Sequence, residues 1–188
     1  MFSFFTKKKD NKQNKEPITI IRDYDDILPI AKYFKDETGV TFEKQLSILK
    51  NKVTTFCQQR DIYSFLDLLD RVKTDTTLKQ SLINSLTTNE TFFYREFNQI
   101  KELTELVKKD CVKVDILCAP SATGEEPYSI AIALLEEGIS INNFSIIAID
   151  INQDAINSAK KATYKARNLR NLSQDIIEKY FIQSGDKY

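Results

Sequence analysis

The sequence predicts an α/β protein in which a small N-terminal helical bundle precedes the first βαβα part of an open parallel sheet. Two observations support this. From Ile18 to about Leu86 apolar residues recur at helical spacing, whereas two β-rich runs, 112–119 and 144–150, flank a separate helical pattern. Strand, helix and strand in this order form a βαβ unit with a right-handed crossover. Because only two strands are evident, we expect the sheet to be truncated.

The composition narrows the classes of function. The 188 residues carry 27 basic and 27 acidic side chains, which gives no electrostatic argument for nucleic acid as a partner. Histidine is absent, which removes Ser-His and Cys-His catalysis and argues against a metal site. Cys57, Cys111 and Cys118 form no C-x-x-C pair and predict buried thiols in a reducing compartment. No apolar run approaches the about 20 residues of a transmembrane helix, so we expect a cytoplasmic protein.

Residues 1–17, MFSFFTKKKDNKQNKEP, predict a disordered tail. The apolar run precedes the charges, which is the reverse of the order in a signal peptide. The alternative is a weak membrane-surface anchor, because three phenylalanines lie beside three lysines.

Residues 18–86 predict a helical N-terminal domain of four helices. Pro29 should bend or restart the first helix, and Gly39 should end it. The fourth helix should be capped near Asp75 or Thr76. The apolar positions of the second and third helices are Leu46, Leu49, Val53, Phe56 and Cys57, and then Phe65, Leu66, Leu69 and Val72.

Residues 87–110 predict a linker and a further helix, and residues 111–188 a partial ligand-binding domain. Thr87-x-x-Glu90 fits a capping box, which would simply start the next helix. In the second part, one helix should span 127–137 between the strands. Another should begin near Gln153, and a last one should be N-capped by Ser173.

The candidate site lies where the two strands end, because open parallel sheets bind ligands beyond the carboxyl ends of their strands. Asp150 ends the second strand, about one βαβ step after Gly124. An acidic residue at that place commonly accepts hydrogen bonds from the hydroxyls of a ribose. Alternatively, Asp150 caps the helix that starts near Gln153.

The turn SATGEEPYS indicates which ligand carries that ribose. Glu125 and Glu126 would repel a pyrophosphate at a helix N-terminus and favour a cation, and the turn lacks the G-x-G-x-x-G pattern of NAD sites. S-adenosylmethionine has a ribose, a sulfonium, an ammonium and no phosphate. The turn therefore favours the methyl donor, although both glutamates would also simply complement the helix dipole.

Three segments resemble a known family in order and spacing: TTNETFFYRE, APSATGEEPYSIAIALLEE and AIDINQDAINSAKKATY. The chain from about Asp23 resembles the CheR-type family, the chemotaxis-receptor glutamate methyltransferases. The resemblance implies a Rossmann-like methyltransferase sheet with a helical domain before it. This chain departs from the family pattern at Tyr94, where a second phenylalanine is usual, and at Asn152, where an aspartate is usual.

The resemblance also implies site residues. Asn89, Thr91, Arg95, Glu126 and Asp150 would bind S-adenosylmethionine, and no metal is implied. Arg95 would act catalytically, by gripping the donor's carboxylate or by steering the substrate carboxylate.

The implied function is methyl transfer to glutamate side chains in the cytoplasmic domain of a chemoreceptor. The basic residues of the second predicted helix (Lys44, Lys50, Lys52 and Arg60) would face that partner, as the family's helical domain does, or would simply form a solvated face. The family continues after the YF of 180–181 into a small antiparallel subdomain and further strands. The alternative is therefore a truncated, catalytically inactive receptor-docking module.

Overall fold

The fold was analysed in a computed structural model, which describes residues 22–110 and 113–188. The predicted tail and Cys111 lie outside the described residues. The helices of the first half are α1 (Leu28–Thr38), α2 (Leu46–Gln58), α3 (Phe65–Thr74), α4 (Thr76–Leu86) and α5 (Phe97–Asp110). In the second half, β1 (Val114–Cys118), α6 (Glu125–Glu136), β2 (Phe144–Ala148), α7 (Gln153–Lys161) and α8 (Gln174–Tyr180) follow. Two short 3₁₀ turns, Ile141–Asn143 and Ala166–Leu169, complete the order.

Helices α1 to α4 form the predicted bundle, and local sequence signals set their ends. Gly39 has a φ of 74°, and its N–H donates to the Lys35 carbonyl and closes α1. Asp75 caps α4 by accepting the Leu78 N–H at 2.9 Å. Helix α1 begins at Leu28, so Pro29 lies in its first turn, where the missing proline N–H costs nothing; this fits the predicted restart at Pro29.

The core of the bundle is apolar and closed. Leu66 was predicted to be part of this core but is 65% exposed, whereas Leu68 is fully buried. The apolar face of α3 therefore includes Leu68 and not Leu66. The fully or nearly fully buried residues of this cluster include Ile30, Phe34, Leu49, Val53, Ile62, Leu68 and Leu82.

Residues 87–96 form a turn region, and the predicted capping box at Thr87 is wrong. The Thr87 hydroxyl donates backward to the Ile83 carbonyl at 3.0 Å, at the end of α4. The next helix begins only at Phe97. A threonine hydroxyl satisfies the last carbonyls of one helix as readily as the first N–H groups of the next, so the sequence pattern alone did not distinguish them.

The two strands form a parallel pair in which Val114 lies opposite Phe144 and Cys118 opposite Ala148. Helix α6 makes the crossover between them, and α5 packs against α6. A second apolar cluster includes Phe93, Leu134, Tyr164 and Leu169. Leu117 and Ile147, which are 65% and 58% exposed, lie on the sheet face that these residues do not cover.

No helix in the two described ranges is long and apolar enough to cross a membrane.

Leu68→Ala and Leu66→Ala test which face of α3 is buried. We expect Leu68→Ala to lower the free energy of unfolding by about 2–5 kcal/mol, because it leaves a cavity in a closed core. Leu66→Ala, two residues away, should change it by less than about 0.5 kcal/mol. Urea unfolding followed by circular dichroism measures both, and equal effects would contradict the assigned face.

Candidate functional site

Asp150 accepts hydrogen bonds from two backbone N–H groups just beyond the strand ends. Its Oδ2 accepts from Ala122 in the loop after β1, and its Oδ1 accepts from Asn152, both at 2.8 Å. The carboxylate is half-buried and is therefore open on one side. Each carboxylate oxygen has a second lone pair, so Asp150 can still accept hydrogen bonds from a ligand's hydroxyl groups.

The cap of α7 is Asn152 and not Asp150. The side-chain oxygen of Asn152 accepts the Ala155 N–H at 3.0 Å. This removes the alternative role that the sequence allowed for Asp150 and leaves its carboxylate facing the loop.

The turn at Gly124 requires glycine for two reasons. Its φ is 96°, a left-handed conformation, and a Cβ there would lie 2.8 Å from the Cβ of Ala159. The Tyr164 hydroxyl, which donates to the Thr123 carbonyl at 2.9 Å, borders the same position. The loop is thus packed directly on α7.

The two glutamates of the loop occupy different environments. Glu125 is fully buried, and its carboxylate accepts hydrogen bonds from the Thr123 hydroxyl at 2.5 Å and from the Asn168 amide at 2.7 Å. Glu126 is exposed. The electrostatic argument for a cation therefore applies to Glu126, while Glu125 supports the loop from inside.

Glu126 also contacts the end of β1. Burial, together with the nearby Glu126 carboxylate and a hydrogen bond to it, raises the pKa of the Cys118 thiol to about 11. A thiol with this pKa stays protonated at neutral pH and is not a nucleophile.

The segment from Asn89 to Arg95 is held at both ends beside the loop. At its start, the Asn152 amide donates to the Thr87 hydroxyl at 2.8 Å. At its end, the Phe93 N–H donates to the Asn168 carbonyl at 2.9 Å, and the Tyr94 N–H donates to the Ser129 hydroxyl at 3.0 Å. The segment therefore connects residues next to Asp150 with residues next to Glu125.

Within this segment, Asn89 and Thr91 are half-buried and Arg95 is exposed. Arg95 Nη1 donates to the Glu90 carbonyl at 2.6 Å, which folds the segment into a turn. The remaining guanidinium N–H groups are sufficient for a bidentate contact with a carboxylate.

A groove of about 410 Å³ lies between α6, β2 and α7, and Gly124 of the turn lines it. Glu126 and Asp150 do not line this groove. Ser121 Oγ borders the groove, and among the described residues it is the buried side-chain polar atom that has no hydrogen-bond partner.

Sequence reasoning missed the residues that support the site from behind: Ser129, Asn152, Tyr164 and Asn168. Ser129 carried the clearest signal, because it is a polar residue on the apolar face of α6 and is fully buried. A buried hydroxyl requires a partner, and that partner is the Tyr94 backbone.

A glycine turn between a strand and a helix, with an acidic residue just after the next parallel strand, is typical of the first half of a Rossmann-like α/β domain. Residues 89–188, more than half of the chain, match the family model described as CheR methyltransferase, SAM binding domain. The chain belongs to this family.

Curated relatives agree with this assignment. The chain is 34% identical over 157 residues to a chemotaxis protein methyltransferase of Campylobacter jejuni subsp. jejuni serotype O:23/36 (strain 81-176), covering 84% of this chain and 59% of the relative. It is 32% identical over 169 residues to chemotaxis protein methyltransferase 2 of Vibrio cholerae serotype O1, covering 82% and 57%. The chain thus spans somewhat over half the length of these relatives.

Gly124→Ala and Gly138→Ala test the packing of the turn. Both glycines have positive φ, so each substitution should cost about 1–2 kcal/mol of stability. Gly138 has no atom within 4 Å of an added Cβ, whereas Gly124 meets Ala159. We expect Gly124→Ala to cost about 1–3 kcal/mol more than Gly138→Ala, as measured by urea unfolding. Equal costs would show that the contact with α7 does not restrict this position.

Proposed function

We propose that this chain is the donor-binding part of an S-adenosylmethionine-dependent methyltransferase that modifies glutamate side chains of a chemoreceptor in the cytoplasm. Family membership supports the class of reaction. The observation that supports a particular binding residue is the arrangement of Asp150. Two backbone N–H groups fix its carboxylate at the strand ends, and lone pairs on both oxygens remain available to a ligand.

The residues at the strand ends fit the donor by their chemistry. Asp150 would accept hydrogen bonds from the ribose hydroxyls. The exposed Glu126 carboxylate would favour a positively charged part of the same ligand, and Asn89 and Thr91 would line it. Arg95 would bind a carboxylate, either that of the donor or that of the substrate.

The reaction needs no general base. The bound donor would supply an electrophilic methyl group. A glutamate side chain, with a pKa of about 4.3, is already ionised at neutral pH and able to attack it. The absence of histidine from the sequence is consistent with this chemistry. The chain's contribution would be alignment of the reactants and exclusion of water.

Transfer of a radiolabelled methyl group to receptor-containing membranes tests the proposed function. The chain of 188 residues is incubated with the labelled donor and these membranes. We expect base-labile label on the receptor, as for a methyl ester, and loss of transfer on Arg95→Ala. Folded protein that co-sediments with receptor but transfers no label would support the docking module instead.

Asp150→Ala tests the donor site itself. We expect it to weaken binding of S-adenosylhomocysteine by about 1.5–3 kcal/mol, because a charged hydrogen-bond acceptor is lost. Asp154→Ala is the matched control, since Asp154 is exposed in the first turn of α7. Calorimetry measures both affinities, and an unchanged affinity in Asp150→Ala would remove this residue from the site.

A further inference from the structure

Asn152 is a buried polar residue, 2% exposed, between the helical bundle and the strand ends. Its side-chain oxygen caps α7 through the Ala155 N–H. Its side-chain amide donates to two groups at the end of α4, the Thr87 hydroxyl at 2.8 Å and the Asn84 carbonyl at 3.2 Å. Asparagine is suited to this position because one side chain supplies both an acceptor and a donor.

The neighbours of Asn152 are held by the same helix. The Gln153 N–H donates to the Asn84 side-chain oxygen at 3.0 Å, and the Gln80 amide donates to the Ile151 carbonyl at 2.8 Å. Four hydrogen bonds therefore join α4 to residues 151–153. We refer to this set of contacts as the α4 clamp.

The α4 clamp is connected directly to Asp150. The backbone N–H of Asn152 donates to Asp150 Oδ1, and the other carboxylate oxygen accepts from Ala122. A shift of Asn152 would move one of the two donors that orient this carboxylate. The orientation of Asp150 thus depends on where α4 lies.

We propose that Asn152 is a positioning residue that couples the helical bundle to the donor site. Through the α4 clamp, the bundle holds the Asp150 carboxylate in the orientation that binds the ribose. The inference depends on the proposed role of Asp150 as a donor ligand. Because such coupling is reciprocal, a ligand that displaces α4 would weaken donor binding, and bound donor would hold α4 in place.

Asn152→Ser separates positioning from folding. A serine hydroxyl is a common N-cap and can still accept the Ala155 N–H, but it is too short to replace the amide that donates to α4. Asn157→Ser is the matched control, because it makes the same change at an exposed position on α7.

The first measurement is residue-resolved amide hydrogen exchange without donor. We expect Asn152→Ser to accelerate exchange at Ala122 and Gln153 and to leave Ala155, whose acceptor is retained, unchanged. A purely structural loss would accelerate all three amides together. That result, or an unchanged Ala122, would overturn the proposal.

The second measurement is the affinity for S-adenosylhomocysteine. We expect Asn152→Ser to bind it about tenfold more weakly than the unsubstituted protein, because the Asp150 carboxylate is no longer held in one orientation. Asn157→Ser should bind it as tightly as the unsubstituted protein.

The outcomes separate the two proposals. If the unsubstituted protein binds no donor, the proposed function fails, while the exchange at Ala122 still decides whether Asn152 positions Asp150. If the unsubstituted protein binds donor and Asn152→Ser binds it equally well, the coupling is wrong and the proposed function stands.

Discussion

Glu125 is a carboxylate with no solvent exposure, and its hydrogen bonds connect three segments that are distant in sequence. It accepts from Thr123 in its own loop and from the Asn168 side chain, and the Asn168 carbonyl in turn accepts the Phe93 N–H. A buried carboxylate is costly unless donors surround it, so these segments are held together by the need to satisfy it. This network ties the loop that carries Glu126 to the segment that carries Arg95.

The division of roles between Glu125 and Glu126 explains how a loop with two adjacent carboxylates can serve a ligand. Successive residues in the first turn of a helix point in different directions, so only one carboxylate reaches the surface. The Glu125 carboxylate accepts hydrogen bonds inside the protein, whereas the Glu126 carboxylate is exposed to solvent. A bound ligand would therefore meet one carboxylate of this loop and not two.

The elements of this fold could be predicted from the sequence wherever the signal is local. Gly39 ends α1, Ser173 caps α8, and the two β-rich runs form the strands, because turn chemistry and periodicity act over a few residues. The predictions failed where the sequence allowed two hydrogen-bond partners for one side chain or two orientations of one helix face. Thr87 bonds backward to α4, and the apolar face of α3 excludes Leu66.

The supporting residues of the candidate site could not be predicted for a different reason. Asn152 and Asn168 act through partners more than 40 positions away, and no local pattern encodes such a contact. Glu126 and Asp150 were accessible to sequence reasoning because they lie at a topologically defined place, whereas Asn89, Thr91 and Arg95 were indicated by the family resemblance alone. Their assignment to the donor stays a prediction.

The register of the strands bears on how the chain becomes structured. Val114 pairs with Phe144, and every other pair in the sheet has the same separation of 30 positions. The bundle is no more local, because the Tyr33 hydroxyl donates to the Val72 carbonyl over 39 positions and Lys79 pairs with Glu37 over 42. Closing such loops costs entropy before any contact is gained, so neither half of the chain can be completed from local contacts alone. Leu117 and Ile147 are exposed on the strands before they pair and remain exposed afterwards, so this sheet face presents apolar side chains for self-association throughout folding.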